Sequence, residues 1–177
     1  MRIIGGKYKG RIISTSRNFS GRPTTDFAKE SLFNILTNLV DFEEMKVLDM
    51  FGGTGSISFE FASRGCMFID IVDTDSHSLR AVNEMADKLG ITAIHTIRAD
   101  TFRYIRSCQK KYDIVFADPP YALEEFQSIP DRVFNSSLLE TEGIFILEHP
   151  KKFDFSEHAH FSDHRKYGHV NFSFFRL

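Results

Sequence analysis

Tryptophan is absent from this chain of 177 residues, cysteine occurs twice and proline five times. Cys66 and Cys108 offer neither a disulfide framework nor metal-ligand spacing, so two reduced thiols in a cytoplasmic protein are expected. No apolar run approaches the roughly 18 to 20 residues that a membrane-spanning helix needs. The start, MRIIGGKYKGR, lacks the apolar stretch and small-residue cleavage site of a secretory signal. Membrane-spanning and secreted classes are therefore not expected. A large charge of one sign is missing too: the formal net charge of -2 argues against a uniformly basic nucleic-acid binder. Repeats and low-complexity linkers are also lacking, which predicts one domain over 1–177, with 1–40 as an N-terminal extension and 45–177 as the main sheet.

What is present is uneven. Residues 1–25 hold Arg2, Lys7, Lys9, Arg11, Arg17 and Arg22 and no acid, leaving -8 for the remainder. A polyanion-binding surface would begin at the N-terminus; a solvated arm without specific contacts is the plainer alternative. Nineteen phenylalanines and five tyrosines predict an aromatic-rich core. From Lys46 to His149, apolar strand-length runs alternate with helical segments, the pattern of an α/β fold with a parallel sheet. Five strands are expected at about 46–51, 67–73, 93–99, 113–117 and 143–148, each apolar enough to be covered on both faces. Helices should follow Gly55, Ser76, Thr101 and Leu123. In the second, Ser76 can cap, Leu79, Val82, Met85, Ala86 and Leu89 share a face, and Gly90 supplies a left-handed stop. GGKYKGR predicts a small hairpin. A helix capped by Thr24 or Thr25 should carry Ala28, Leu32, Ile35, Leu36 and Leu39 as its apolar stripe. The tail around Tyr167-Gly168 predicts an antiparallel pair closing the sheet.

Two segments carry chemistry. VLDMFGGTGSIS puts Asp49 at a strand end and Gly52, Gly53 and Gly55 in the turn before a helix, where the backbone can approach a ligand closely. As a dinucleotide fingerprint it fails at Ser58. Asp73 ends the next strand, placed to accept from ribose hydroxyls, and Asp100 ends the third, placed to meet an adenine amino group. Carboxylates along that edge suit a sulfonium with an amino-acid end better than a pyrophosphate, pointing to S-adenosylmethionine rather than NAD. The second segment is DIVFADPPY. Pro119 and Pro120 fix φ and remove donors, so Asp118 and the Pro119 carbonyl form a rigid acceptor site for an exocyclic amine, and Tyr121 can stack on its ring. Accepting both hydrogens favours a pyramidal nitrogen, and the carboxylate stabilises the charge that develops during methyl transfer.

These segments, taken with MRIIGGKYKGR, RPTTDFAKESLFNIL and RKYG followed by FSFF, resemble the RsmD-type bacterial small-subunit ribosomal RNA guanine-N2 methyltransferases over essentially the whole chain. The resemblance implies a Rossmann-like class I methyltransferase fold: a mostly parallel seven-stranded sheet with an antiparallel C-terminal pair and an N-terminal hairpin-plus-helix extension. It implies S-adenosylmethionine as cofactor and methylation of one guanine of 16S ribosomal RNA, within an assembled or partly assembled 30S particle; the transfer chemistry itself requires no metal, and a monomer is expected. By position, Asp49, Phe51, Gly53 and Gly55 would line the methionine end of the cofactor, Asp73 its ribose and Asp100 its adenine. Asp118, Pro119, Pro120 and Tyr121 would hold the flipped guanine, and Arg2, Lys7, Lys9, Arg11, Arg22 and Thr24 would meet RNA. Gly52 stands where the family often has alanine, and Asp73 where it usually has glutamate.

The seven histidines lack a fixed ligand motif, and neither cysteine has a neighbour that would activate its thiolate. From the residues alone, two other readings stand beside the first. One is an amino methyltransferase acting on DNA adenine, cytosine or a protein glutamine. The other is a non-enzymatic RNA-binding factor on the same scaffold.

Overall fold

The computed structural model describes residues 1–13 and 25–177. Arg17, Arg22 and Thr24 lie outside the described residues. Thr25 caps α1 (Asp26–Thr37), its hydroxyl oxygen accepting from the Ala28 amide at 3.2 Å. Ala28, Leu32 and Leu36 of the expected stripe are buried, joined by Phe33, but Leu39 is 48% exposed. It lies beyond the last helical turn, in the chain leading to a short 3-10 turn at Phe42–Glu44. Phe33 meets Phe61 edge to face at 4.8 Å, an arrangement aromatic quadrupoles favour.

The alternating block folds as expected into parallel strands: β1 (Lys46–Asp49), β2 (Phe68–Asp73), β3 (Ile94–Arg98), β4 (Tyr112–Ala117) and β5 (Leu139–His149). The tail adds β6 (Phe161–Tyr167) and β7 (Val170–Arg176), antiparallel to each other, with β7 antiparallel to β5. The order across the seven-stranded sheet is β3-β2-β1-β4-β5-β7-β6. Between the strands run α2 (Ser56–Ser63), α3 (Ser76–Leu89), α4 (Thr101–Ser107) and α5 (Ile129–Phe134). Residues of α1, α2 and α3 share one apolar cluster with one face of the sheet, and those of α4 and α5 share another with the opposite face.

Several expectations need correction. β1 ends at Asp49 rather than Phe51, because the Met50 amide still reaches the Phe116 carbonyl at 2.9 Å but the chain then turns into the glycine loop. β5 begins four residues early, at Leu139. Asp75, not Ser76, caps α3, accepting from the amides of His77 and Ser78. Gly90 ends that helix at φ 67° as expected. β3 is not covered on both faces: it is an edge strand, and among its five residues only Ile94 is buried. β2 is not wholly apolar, since buried Asp70 accepts from the Tyr112 hydroxyl at 2.6 Å and the Lys110 ammonium at 2.7 Å. The last helix starts later than expected, after a 3-10 turn at Phe126–Ser128, with Pro130 in its first turn. The N-terminal hairpin pairs Arg2 with Ile12 in an antiparallel bridge, flanked by backbone hydrogen bonds from Ile3 to Arg11 at 2.9 Å and from Ile13 to Met1 at 2.8 Å, with Ile3 and Ile13 turned into the core. Among the described residues no helix is long and apolar enough to cross a membrane.

Candidate active site

Parallel register and the two-residue alternation of strands decide which side chains meet. Asp49 of β1 pairs with Phe116 of β4, and Phe116 with Ile146 of β5. Two residues further along β4 and β5 come Asp118 and Glu148, on the same face of the sheet as Asp49 and at the carboxyl ends of neighbouring strands. Three carboxylates therefore converge on the α2 side of this edge, where open α/β sheets bind ligands. Asp49 and Glu148 are each 2% exposed.

Burial and mutual repulsion govern their ionisation. Burial pushes the Asp49 carboxyl up to about 7, opposed by its hydrogen bond from Ser58 and helped by the nearby charge of Asp73. Asp118 is raised well above the ordinary carboxylate range, by burial first and then by Glu148 and Asp49. A cationic ligand beside such a cluster would relieve the mutual repulsion of its carboxylates.

The glycine loop is built around two of the acids. Gly55, at φ 73°, turns the chain from the loop into α2, a left-handed conformation that a side chain resists. The Gly53 amide donates to Asp73 Oδ2 at 2.7 Å, while Asp73 Oδ1 accepts from the Asp75 amide at 2.8 Å. Asp73 thus holds the glycine loop against the β2–α3 turn. At Gly52 an added Cβ would come within 2.0 Å of Ile71 Cγ2, so the missing methyl is matched by the isoleucine that fills its place. Ser58, where the dinucleotide pattern fails, donates to Asp49 Oδ2 at 2.7 Å; a glycine there would leave the buried carboxylate without this donor.

Asp100 caps α4, its Oδ1 accepting from the Arg103 amide at 2.8 Å. The neighbouring Thr101 hydroxyl donates to the Met50 carbonyl at 2.6 Å, joining the third strand end to the first. Phe51 lies edge-on to Phe102, ring centroids 6.1 Å apart.

After β4, Pro119 is buried and Pro120 exposed. The Leu123 amide closes the turn on the Pro120 carbonyl at 2.9 Å. Tyr121 is 41% exposed and meets Phe126 edge to face at 6.5 Å. Phe126 in turn stacks on Phe153 at 4.2 Å, and Lys152 Nζ donates to the Tyr121 carbonyl at 3.3 Å. The tyrosine ring is therefore backed by aromatic packing and held through its backbone.

The fold brings Asp49, Asp73 and Asp118 to one edge, with Asp100 next in line. It spreads the basic residues. Arg2 stands at the start of α1, 3.4 Å from Asp26, whereas Lys7 and Tyr8 are bonded to Ser63 at the far end of α2. Sequence reasoning missed three residues here. Glu148 ends an apolar strand as the chosen acids do, Ser58 occupies the fingerprint's failed position, and Lys152 lies in an HPKK run after β5.

Ser56, the first residue of α2, has a buried hydroxyl with no hydrogen-bond partner among the described residues. That orphan beside the glycine loop, with the mutually repelling carboxylates, fits a ligand carrying both hydrogen-bonding groups and positive charge.

A family model described as conserved hypothetical protein 95 matches residues 1–176. The ribosomal RNA small subunit methyltransferase D of Buchnera aphidicola subsp. Baizongia pistaciae is 29% identical over 148 residues, covering 84% of this chain and 75% of that one. Among solved structures, a hypothetical protein of Thermus thermophilus has a TM-score of 0.87 at 24% identity, covering 100% of this chain and 99% of that one. The 16S rRNA N2 methyltransferase RsmC of Thermus thermophilus, solved with AdoMet and guanosine, has a TM-score of 0.69 at 16% identity, covering 89% of this chain and 44% of that one.

Proposed function

This chain belongs to the family described as conserved hypothetical protein 95, the RsmD-type methyltransferases, and from that premise we propose that it methylates the exocyclic N2 amino group of one guanine in 16S ribosomal RNA, with S-adenosylmethionine as donor. The substrate is an assembled or partly assembled 30S particle. The observation that carries this reading is the shared edge: Asp49, Asp118 and Glu148 converge on one face beside a diproline turn and a braced, half-exposed tyrosine.

When bound, the cofactor supplies an electrophilic methyl on a positively charged sulfur. Asp49 and its carboxylate neighbours favour that charge, and Gly53 and Gly55 admit the methionine end. Asp73, fixed by two amides, serves the ribose; Asp100 uses one oxygen as a helix cap and serves the adenine with the other. Asp118 and the Pro119 carbonyl accept the two amino hydrogens of guanine, turning the nitrogen lone pair toward the methyl. As the N–C bond formed and the S–C bond broke, leaving a neutral thioether, Asp118 would stabilise the positive charge on nitrogen and accept the proton that the methylated amine gives up. Tyr121 stacks on the extruded base.

The deciding experiment is transfer of labelled methyl to unmodified 30S particles, free 16S RNA and duplex DNA, with nuclease mapping of the labelled nucleotide. Label in N2-methylguanine at one ribosomal position is expected. Label in adenine, cytosine or protein would move the activity to another amino substrate, and no label despite cofactor binding would favour a non-enzymatic factor.

Two variants test the parts. Tyr121→Ala should lower single-turnover rates by about ten- to a hundredfold, since base–aromatic stacking is worth roughly 1 to 3 kcal/mol; rates equal to the parent would remove the ring from the base site. Neutralising Lys7, Lys9 and Arg11 together should flatten the plot of log K against log salt by about 2 to 3, one ion released per lost phosphate contact. An unchanged slope would make them solvated charges.

A further inference from the structure

Lysine and glutamate are rarely buried without a reason, yet Lys29 of α1 and Glu60 of α2 are both fully enclosed, 3.7 Å apart. Replacing such a pair by apolar residues is often neutral or stabilising, so its presence calls for a task that apolar side chains cannot perform. The task is visible in the hydrogen bonds. Lys29 Nζ donates to the Arg2 carbonyl at 2.6 Å. Glu60 accepts from the amides of Ile4 and, at 3.4 Å, Gly5. Arg64, one turn on, adds a contact to Glu60 at 3.5 Å.

Ser63, at the end of α2, continues the pattern. Its hydroxyl donates to the Gly5 carbonyl at 2.5 Å and accepts from the Tyr8 amide at 2.9 Å, while its carbonyl accepts from the Lys7 amide at 2.7 Å. Thr54, just before α2, touches Met1 Sδ at 3.4 Å. The N-terminal segment therefore runs along the whole helix, a length of about 12 Å for eight residues. Gly6 makes the approach possible: at φ 72°, any Cβ there would sit 1.9 Å from the Ser63 carbonyl oxygen. Within the hairpin, backbone hydrogen bonds join Ile3 to Gly10 and Arg11 and Ile13 to Met1, whereas the amides of Ile4, Gly5, Lys7 and Tyr8 donate to α2. Throughout, the backbone is pinned while the side chains of Arg2, Lys7, Lys9 and Arg11 stay exposed.

We propose that Lys29, Glu60 and Ser63 are positioning residues that clamp the basic N-terminal segment as a fixed rail along α2, setting the distance between phosphates held by Lys7, Lys9 and Arg11 and the target base at Asp118. α2 is the right anchor, since its first turn is continuous with the glycine loop. The proposal rests on the RNA-methylating reading above. Its content is that a fixed position, in addition to charge, lets the segment contribute to rate.

The test uses Ser63→Ala, which removes two of the arm's bonds with little disturbance to the core, and Glu60→Gln, which keeps shape and removes the charge. In both, amide hydrogen exchange at Ile4, Gly5 and Tyr8 should speed up by about tenfold or more, and kcat/KM on 30S particles should fall by about tenfold, the scale of one lost hydrogen bond. The cofactor Kd should stay within a factor of about two, and the salt slope of particle binding should be unchanged, because every charge on the arm remains. In a parent already lacking the charges of Lys7, Lys9 and Arg11, Ser63→Ala should cost nothing further in kcat/KM, a non-additivity that a purely structural role would not produce. Faster exchange with an unaltered kcat/KM would overturn the proposal, as would unaltered exchange. A parent inactive on every RNA substrate would instead overturn the activity on which the proposal rests, and is seen before any variant is made.

Discussion

Asp118→Ala should lower kcat on 30S particles by at least about a hundredfold to a thousandfold, the cost of removing a preorganised group that faces developing charge, while the cofactor Kd changes by less than about threefold. The prediction joins two functions of one carboxylate. As an acceptor it orients the amine, and as an anion it meets the charge that appears on nitrogen only during transfer. Interactions made only in the transition state appear in kcat rather than in ground-state binding. Asp118→Asn separates the two: it retains an acceptor oxygen and loses the charge, so its rate should lie between those of parent and alanine variant. The same replacements should not destabilise the fold. Asp118 is raised by burial and by the like charges of Glu148 and Asp49, so removing it relieves repulsion in the folded state, and the melting temperature of the unliganded protein should hold or rise. A normal kcat in Asp118→Ala would remove this residue from the chemistry.

The sequence made much of this edge legible because the informative features are local. A glycine loop after an apolar strand, acids at successive strand ends and a diproline turn each mark a place within a few residues, and parallel alternation places all of them at one edge. What stayed hidden depends on partners far apart in the chain. Ser58 looked like a broken fingerprint until the fold set its hydroxyl against Asp49. Glu148 ends an apolar strand as the chosen acids do, but its place beside Asp118 follows from the β4–β5 register. Nothing at positions 26 to 37 announces that Glu60 and the Arg2 carbonyl close over Lys29. Leu39 erred the other way: its spacing continued an apolar stripe beyond the point where the helix had ended. The basic residues were visible as a charge imbalance, yet their spread along α2 follows from backbone hydrogen bonds, which no composition reveals.

The affinity for S-adenosylmethionine should rise with pH through about 7, while that for the demethylated product should rise much less. Asp49 is held at about 7, above the ordinary carboxylate value of 3.8, so below pH 7 it is protonated and offers a cation little. Above that pH it is charged. Because one proton competes with one sulfonium, the limiting slope is about one logarithmic unit of affinity per pH unit; the product, whose sulfur is neutral, does not compete in this way. Between pH 6 and 8 the ratio of product Kd to cofactor Kd should therefore grow by about tenfold, with its midpoint near the value at which Asp49 titrates. The same linkage fixes the sign for stability. A carboxyl whose folded value is raised favours the folded state fully below its unfolded value, and that contribution is lost as pH climbs through the folded value. The unliganded protein should thus lose stability from about pH 4 to 7 on this account, and bound cofactor should restore more of it at the upper end. Calorimetry in two buffers of different ionisation enthalpy checks the first claim, since binding at pH 6.5 should release protons from the protein. Asp49→Asn should abolish most of that release and flatten the pH profile; a ratio of the two affinities constant from pH 6 to 8.5 in the parent would mean that the sulfonium is not met by these carboxylates.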